Sequence, residues 1–476
     1  MALRTVSNTG GNWNATTTWV GGVVPVAADT VDFTATSGNL TVNVLTNSLA
    51  GIDFTNYLGT ITFNANIQVN TSVNLGTGGY IQSGSGAFGL AITSATTITS
   101  NGVVWNNLLS FFGSAITYTL ADNLTVTGNI VLSGTSSSTF TGNTLYIGGD
   151  LTVTTTVTIF GTTEFVFNGT GTWSHTTTGL IRVNVTINTT GTLTIGTNIY
   201  LRQSILTYIA NTGTVVTTGS TLNITQTSTL NTSGMTWNNI SFTGGTQTLT
   251  SDLNCQNLTN TSVTINGLFN VNVSGNLTAN GITLIGTATI VLIGTGTWTA
   301  TNGSNTFRIP IIINTNGIIS LPNSLYHESG LTYIKGTVKS NNTTITFGGG
   351  TVTTLVNLHK LIFKNVIIGA STTITMNEFF SGSPSLVTNI SSTGTTSNYT
   401  IAFQDGFEKI AKFVDISGCT LSKPLQLLVL TNSKKNSRNS GIRYINQSPN
   451  GIAKGEPSVN LTTFGAGGLL PDPTNL

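Results

Sequence analysis

Acid–base and nucleophilic catalysis need titratable side chains that converge, and such residues are sparse here: three histidines, and nine aspartates and glutamates in the first 400 positions. His175, His327 and His359 each lack a Cys, Asp or Glu neighbour at metal-ligand spacing. Glu328 does follow His327, but consecutive side chains on a strand point to opposite faces, so that pair does not converge. A glycosidase-type carboxylate pair needs a separation of ~5–10 Å. Asp29 and Asp32 stand at an odd offset across a strand, and Asp405 and Glu408 would converge only on a helix. Cys255 and Cys419 are far apart and offer neither a metal-ligand spacing nor a disulfide framework, which suits buried apolar fillers. Gly348-Gly-Gly reads as a turn, because no Lys-Ser/Thr follows to hold a phosphate. The Asn-x-Thr triplets at Asn14 and Asn168 are what so much threonine produces by chance. Tyr57, Tyr80, Tyr200, Tyr208, Tyr326 and Tyr333 could stack on sugar rings, although their even scatter favours core or ladder packing. These residues predict no catalytic, cofactor-binding or metal-binding constellation, no cofactor, and no enzyme; only a fold that stacks distant segments could still assemble a carboxylate site.

The elements that would position these groups follow from composition. The chain has 476 residues, 6% of them charged, with 55 glycines and roughly a fifth threonine, where a typical soluble domain carries about 25% charged residues. Coiled coils, helical repeats and ordinary disordered chains are thereby excluded. With a net charge of +2 and only Arg4, Arg182 and Arg202 as cations in the first 300 positions, a phosphate-tracking nucleic-acid groove is not expected. The N-terminus, Met-Ala-Leu-Arg-Thr-Val-Ser-Asn, carries no apolar signal stretch. No later run approaches the ~18 apolar residues of a membrane span, so the expectation is a soluble chain without membrane insertion or a standard export signal. Residues 37–400 alternate with a period of two between Gly, Asn and Ser punctuation, as in Leu40-Thr-Val-Asn-Val-Leu and Thr152-Val-Thr-Thr-Thr-Val-Thr-Ile-Phe. This predicts an all-β protein.

Longer self-similarity points to one continuous stack. Asn101-Gly-Val-Val-Trp-Asn-Asn-Leu matches Ser233-Gly-Met-Thr-Trp-Asn-Asn-Ile, with a weaker version at Asn357-Leu-His-Lys-Leu-Ile-Phe. Phe165-Val-Phe-Asn-Gly-Thr-Gly-Thr-Trp likewise matches Ile290-Val-Leu-Ile-Gly-Thr-Gly-Thr-Trp. Trp105 pairs with Trp237 and Trp173 with Trp298, which implies an internal duplication of ~130 residues spanning several coils of ~20–25 residues in a parallel β-solenoid. About 16–18 coils at ~4.8 Å would give a rod of roughly 75–90 Å, with apolar columns inside and Thr and Asn ladders outside. Right-handed coils are expected by analogy with parallel crossovers. Three consecutive β-sandwiches are the competing architecture. The expected organisation is an N-terminal cap over 1–36, the solenoid over 37–400 and a distinct C-terminal region over 401–476. The last of these holds 13 of the 30 charged residues, including Lys434, Lys435, Arg438 and Arg443. There Phe407, Ile410, Ala411 and Val414 have helical spacing, but the neighbouring alternation favours a strand at Lys412-Phe-Val-Asp-Ile-Ser, and Gly465-Ala-Gly-Gly-Leu-Leu-Pro-Asp-Pro reads as a tail or docking arm.

The segment Gly10-Gly-Asn-Trp-Asn-Ala-Thr-Thr-Thr-Trp-Val-Gly-Gly-Val-Val-Pro-Val-Ala-Ala-Asp-Thr-Val-Asp-Phe resembles the opening element of β-helical regions in many bacterial surface proteins and phage or viral structural proteins. The likeness rests on Trp13, Trp19, Gly21, Gly22, Pro25, Asp29 and Val31 and covers this segment alone. Physically, the two tryptophans would plug the end of the core and Asp29 would satisfy turn amides. The resemblance implies a non-enzymatic virion structural or attachment protein of phage type: a fibre, spike or capsid-associated β-helix. It would form a homo-oligomer, with a trimer favoured, contact other virion proteins and suit a host surface polysaccharide. The alternative it implies is a bacterial surface adhesin or surface-layer β-helix at the cell surface. A third is a polysaccharide-degrading tailspike, with carboxylates lining one groove.

Overall fold

Short Thr-, Val- and Ile-rich runs suit a pleated surface, because β-branched side chains crowd a helix. The computed structural model of the chain accordingly holds strands throughout, with a single 3-10 turn at Thr16–Thr18 and no α-helix among the described residues. It describes residues 1–348 except 47, 91–93, 114, 135, 155, 177, 233, 281–282, 301–305 and 341–342, and beyond these mainly the strands as far as residue 445.

Leu124–Val126, Ile130–Ser133 and Ser138–Gly142 complete one circuit, after which Leu145–Ile147 lies parallel on Leu124–Val126, with Leu145 over Leu124. Repetition of this three-sided circuit makes a parallel β-solenoid. One side is a 17-stranded sheet running from Val104–Trp105 to Lys434–Lys435. The other two sides merge into a 26-stranded sheet, because strands such as Ile67–Asn74 and Ile311–Ser320 run round the corner between them. Four earlier strands, Gly11–Asn12, Leu40–Val42, Thr60–Phe63 and Ile81–Gly84, form a sheet beneath the 17-stranded one. Gln82 joins the two by donating from Nε2 to Val104 O and accepting from Asn106 N at Oε1. At ~4.8 Å per strand the 17-stranded sheet alone is about 77 Å long.

Pairing between the named strands is parallel, and one apolar cluster runs from Val6 to Cys419, so separate sandwiches are excluded. Inward Val, Ile, Leu and Phe alternate with outward Thr and Asn, as in Leu151–Val153. The outward residues form ladders: Asn272 donates to Asn254 (2.8 Å), Asn257 to Asn239 (2.8 Å), and the hydroxyls of Thr119 and Thr141 pair at 3.2 Å. These bonds replace charge as the polar surface. At the corners, Asn side chains accept an N–H from the next coil, as Asn39 does from Thr60 (2.8 Å) and Asn184 from Ile205 (3.2 Å). Chain N–H groups that the sheets leave over are thereby satisfied.

The repeated tryptophan motifs do not occupy equivalent faces. Trp105 lies in the 17-stranded sheet against Val126, whereas Trp237 lies in the 26-stranded sheet beside Cys255. Phe165–Phe167 belongs to the 17-stranded sheet and its counterpart Ile290–Leu292 to the 26-stranded one, beside Val271–Val273. Each second copy has thus advanced by one face. The recurring motif encodes a strand and the corner after it, and the three faces are similar enough to accept it in turn.

Beyond residue 400 the parallel stacking continues. Tyr399–Phe403 pairs with Thr373–Met376, Val414–Ile416 with Thr388–Ser392, and Ile442–Ile445 with Leu427–Thr431. The segment with ambiguous spacing is therefore strand, at Glu408–Lys412 and Val414–Ile416. Asp405, Phe407, Arg438, most of the third motif version and the Gly465–Pro473 stretch lie outside the described residues.

Candidate functional site

The sparse acids are mostly structural. Asp29, 3% exposed, accepts from Ala2 N (2.9 Å), Arg4 Nε (2.9 Å) and Val26 N (3.3 Å). The Arg4 hydrogen bond, with help from those amides and against burial, holds its carboxyl below the ordinary range. Trp13 and Trp19, both buried, meet edge to face at 4.9 Å, and Trp19 Nε1 donates to Trp13 O. These contacts hold both rings in the first part of the core. Asp150 accepts from Thr172 N (2.7 Å) and Asp252 from Asn270 N (2.8 Å), which repeats the corner role of asparagine, whereas Asp122 accepts from Ser100 N (2.7 Å) and Asn101 N (2.6 Å) of the preceding coil. Glu164 accepts from the Thr186 hydroxyl, and Glu328 pairs with Arg308.

Among the described acids, Asp32 and Asp53 are the two brought into register on neighbouring turns, in an outward row that runs Thr5, Asp32, Asp53, Asn74. Stacked strands put their backbones ~4.8 Å apart, so the two side chains project from adjacent positions on one face. Burial, and then the Asp53 charge, raise the Asp32 pKa. Asp53 Oδ1 meanwhile accepts from Thr55 N (2.8 Å) and Thr55 Oγ1 (2.5 Å). Proximity in sequence points instead to Asp29 with Asp32, which the fold does not bring together as a couple. The signal that finds the true neighbour is the coil length, since Asp53 follows Asp32 by one full coil and lands directly over it.

The two described histidines do not join this couple. His175, 6% exposed, donates from Nδ1 to Gly179 O (2.8 Å) and accepts at Nε2 from Trp173 Nε1 (3.2 Å). Both ring nitrogens are satisfied only in the neutral form, and burial pushes its pKa down to about 4. His327, fully buried, pairs Nε2 with Gly330 O (3.0 Å) and is pushed down by burial to about 4, while Glu328 is taken up by Arg308. His359 lies outside the described residues. Cys255 and Cys419 are buried and form no disulfide, and burial raises the Cys255 thiol to about 12. The tyrosines divide. Tyr57 is buried with its hydroxyl donating to Thr60 O (2.9 Å); Tyr80 stacks on Phe54 at 5.0 Å; Tyr208 and Tyr333 pack against the core. Tyr200 lies near the His175 ring (5.9 Å), and Tyr326 beside Glu328. They form no common platform.

Compared with protein-family models, with curated proteins and with solved structures, the chain matches none.

Proposed function

We propose that the protein is a structural or attachment component of a virus particle, a fibre, spike or capsid-associated β-helix that works without enzymatic activity. It acts as a homotrimer among other virion proteins and presents its outer ladders to a host surface polysaccharide. The observation that supports this reading is the unbroken parallel stacking of a 17-stranded sheet, joined turn to turn by backbone bonds and by outward Asn and Thr pairs. Such a stack is a stiff spacer with a polar, nearly uncharged surface. The likeness of the Trp13–Val31 segment to the opening of viral and bacterial surface β-helices supplies the setting.

Negative-stain electron microscopy of the purified chain, with its mass measured by light scattering, tests this. Trimeric rods that adsorb to host cells are the expected result. A monomeric rod would transfer the reading to an adhesin or surface-layer subunit, and a string of beads would overturn the solenoid. The Asp32–Asp53 couple favours a second reading, polysaccharide cleavage. If the rods shorten a host capsular polymer, Asp32→Asn and Asp53→Asn must each abolish that activity, and undiminished cleavage by both variants removes this reading.

A further inference from the structure

Arg4, Arg182, Arg202 and Arg308 fall into two classes. Arg4 is paired with Asp29 and Arg308 with Glu328, whereas among the described residues neither Arg182 nor Arg202 has a carboxylate partner. These two occupy the same position on successive turns: Arg182 N donates to Ile159 O (2.7 Å) and Arg202 N to Ile181 O (2.9 Å). Like charges so stacked repel. Arg182 lies over the Phe160 ring, with Cζ 4.4 Å from the centroid, which uses the face of the guanidinium and leaves its edge donors uncommitted. Burial, and then the Arg202 charge, lower the Arg182 pKa, so the pair is held together at a cost. Arg202 Nε is buried and meets no acceptor.

The chain beyond Arg202 turns a corner through Gln203, whose φ of +52° is uncommon for a side chain of that kind. A shallow, open depression lies there, lined by Gln203, Ser204, Ile205, Thr227, Ser228 and Thr229. Ser204 is 3% exposed, yet its hydroxyl has no hydrogen-bond partner. Ile205 contributes an apolar patch, 43% exposed, among these hydroxyl and amide groups.

We infer that Arg182, Arg202 and the adjoining depression form a binding site for the carboxylate-bearing unit of an acidic saccharide. The arginine pair takes the carboxylate, and the outward Gln203, Thr227 and Thr229 side chains take the ring hydroxyls. Two unpaired guanidiniums one turn apart call for an anion, and the mixed hydroxyl, amide and isoleucine lining suits a sugar ring better than a bare ion. This rests on the attachment reading and names the class of surface glycan it would meet.

The test is calorimetric titration of the full chain with tetragalacturonate, its methyl-esterified neutral counterpart and sodium sulfate. The acidic tetramer should bind at least tenfold more tightly than the neutral one and lose affinity as salt rises. Arg202→Gln should weaken it tenfold or more, Arg202→Lys, which keeps the charge and the fold, should weaken it severalfold, and Arg308→Gln should leave it unchanged. Circular dichroism and rod images confirm that each variant is folded. Equal binding of acidic and neutral tetramers, or unchanged binding by both Arg202 variants, overturns the inference. Sulfate binding without tetramer binding overturns its saccharide half. Rods that adsorb to cells but bind no acidic tetramer overturn this site alone, whereas rods that bind the tetramer but adsorb to no host cell overturn the attachment reading.

Discussion

Acidification should weaken this rod from inside, at two imidazoles. His175 and His327 are buried, neutral and held at a pKa of about 4 against 6.5 for an ordinary histidine. A folded-state pKa below the unfolded one means that the unfolded chain binds more protons between those values. The stabilisation is therefore complete above pH 6.5 and is lost as pH falls toward 4. At pH 4.5 the loss is roughly 2.5 kcal/mol per imidazole, or about 5 kcal/mol for the two. At His175 the cause is local as well as global, because a protonated Nε2 can no longer accept from Trp173 Nε1. The assay is guanidinium unfolding at pH 7.5 and 4.5, followed by tryptophan fluorescence, for the native chain and for a His175→Gln/His327→Gln double variant. The native chain should lose more stability than the variant over this interval, by several kcal/mol, and imidazole NMR should place both pKa values well below 6. Equal losses in the two proteins, or an imidazole titrating near 6.5, would refute the argument that burial controls these groups.

Other consequences follow from the same contacts. Because burial and Asp53 raise the Asp32 pKa, Asp32 opposes folding when ionised and the opposition fades as pH falls through its titration. Asp32→Asn should therefore raise Tm at pH 7 and narrow that difference at pH 3; a lower Tm at pH 7 would contradict the like-charge account. Gly161 has φ +125° and a Cβ there would strike Phe140 O, whereas Gly219, at φ +77°, has nothing within 4 Å. Gly161→Ala should cost about 3 kcal/mol or more and Gly219→Ala about 1 kcal/mol in denaturant unfolding, with similar values disproving the stacking contact. Cys255, 1% exposed with its thiol raised to about 12, should resist a disulfide reagent at pH 8 until the chain is unfolded; fast labelling of the native rod would show that the core opens there.

The fold class was legible because its code is local. Each run, such as Leu151–Val153, states its own inward and outward residues by alternation, and the shortage of charge and of helix formers leaves a stacked β architecture with few rivals. The burial of Trp13 and Trp19 and the amide contacts of Asp29 were legible for the same reason, since these residues lie close in sequence. What lies above what was not legible. Coil length varies, and the step from Asn239 to its partner Asn257 is shorter than the step from Ser72 to its partner Thr97. Each corner adds or removes residues, so neighbours across turns depend on the sum of all the corner lengths before them. That sum carried the Trp105 motif to a different face at Trp237, set Asp32 against Asp53, and stacked Arg182 beneath Arg202. Residue types and alternation were enough to turn these charged side chains outward from strands and turns. Which of them meet was left to the register between turns, because contact in a solenoid is made from one turn to the next and not along the chain.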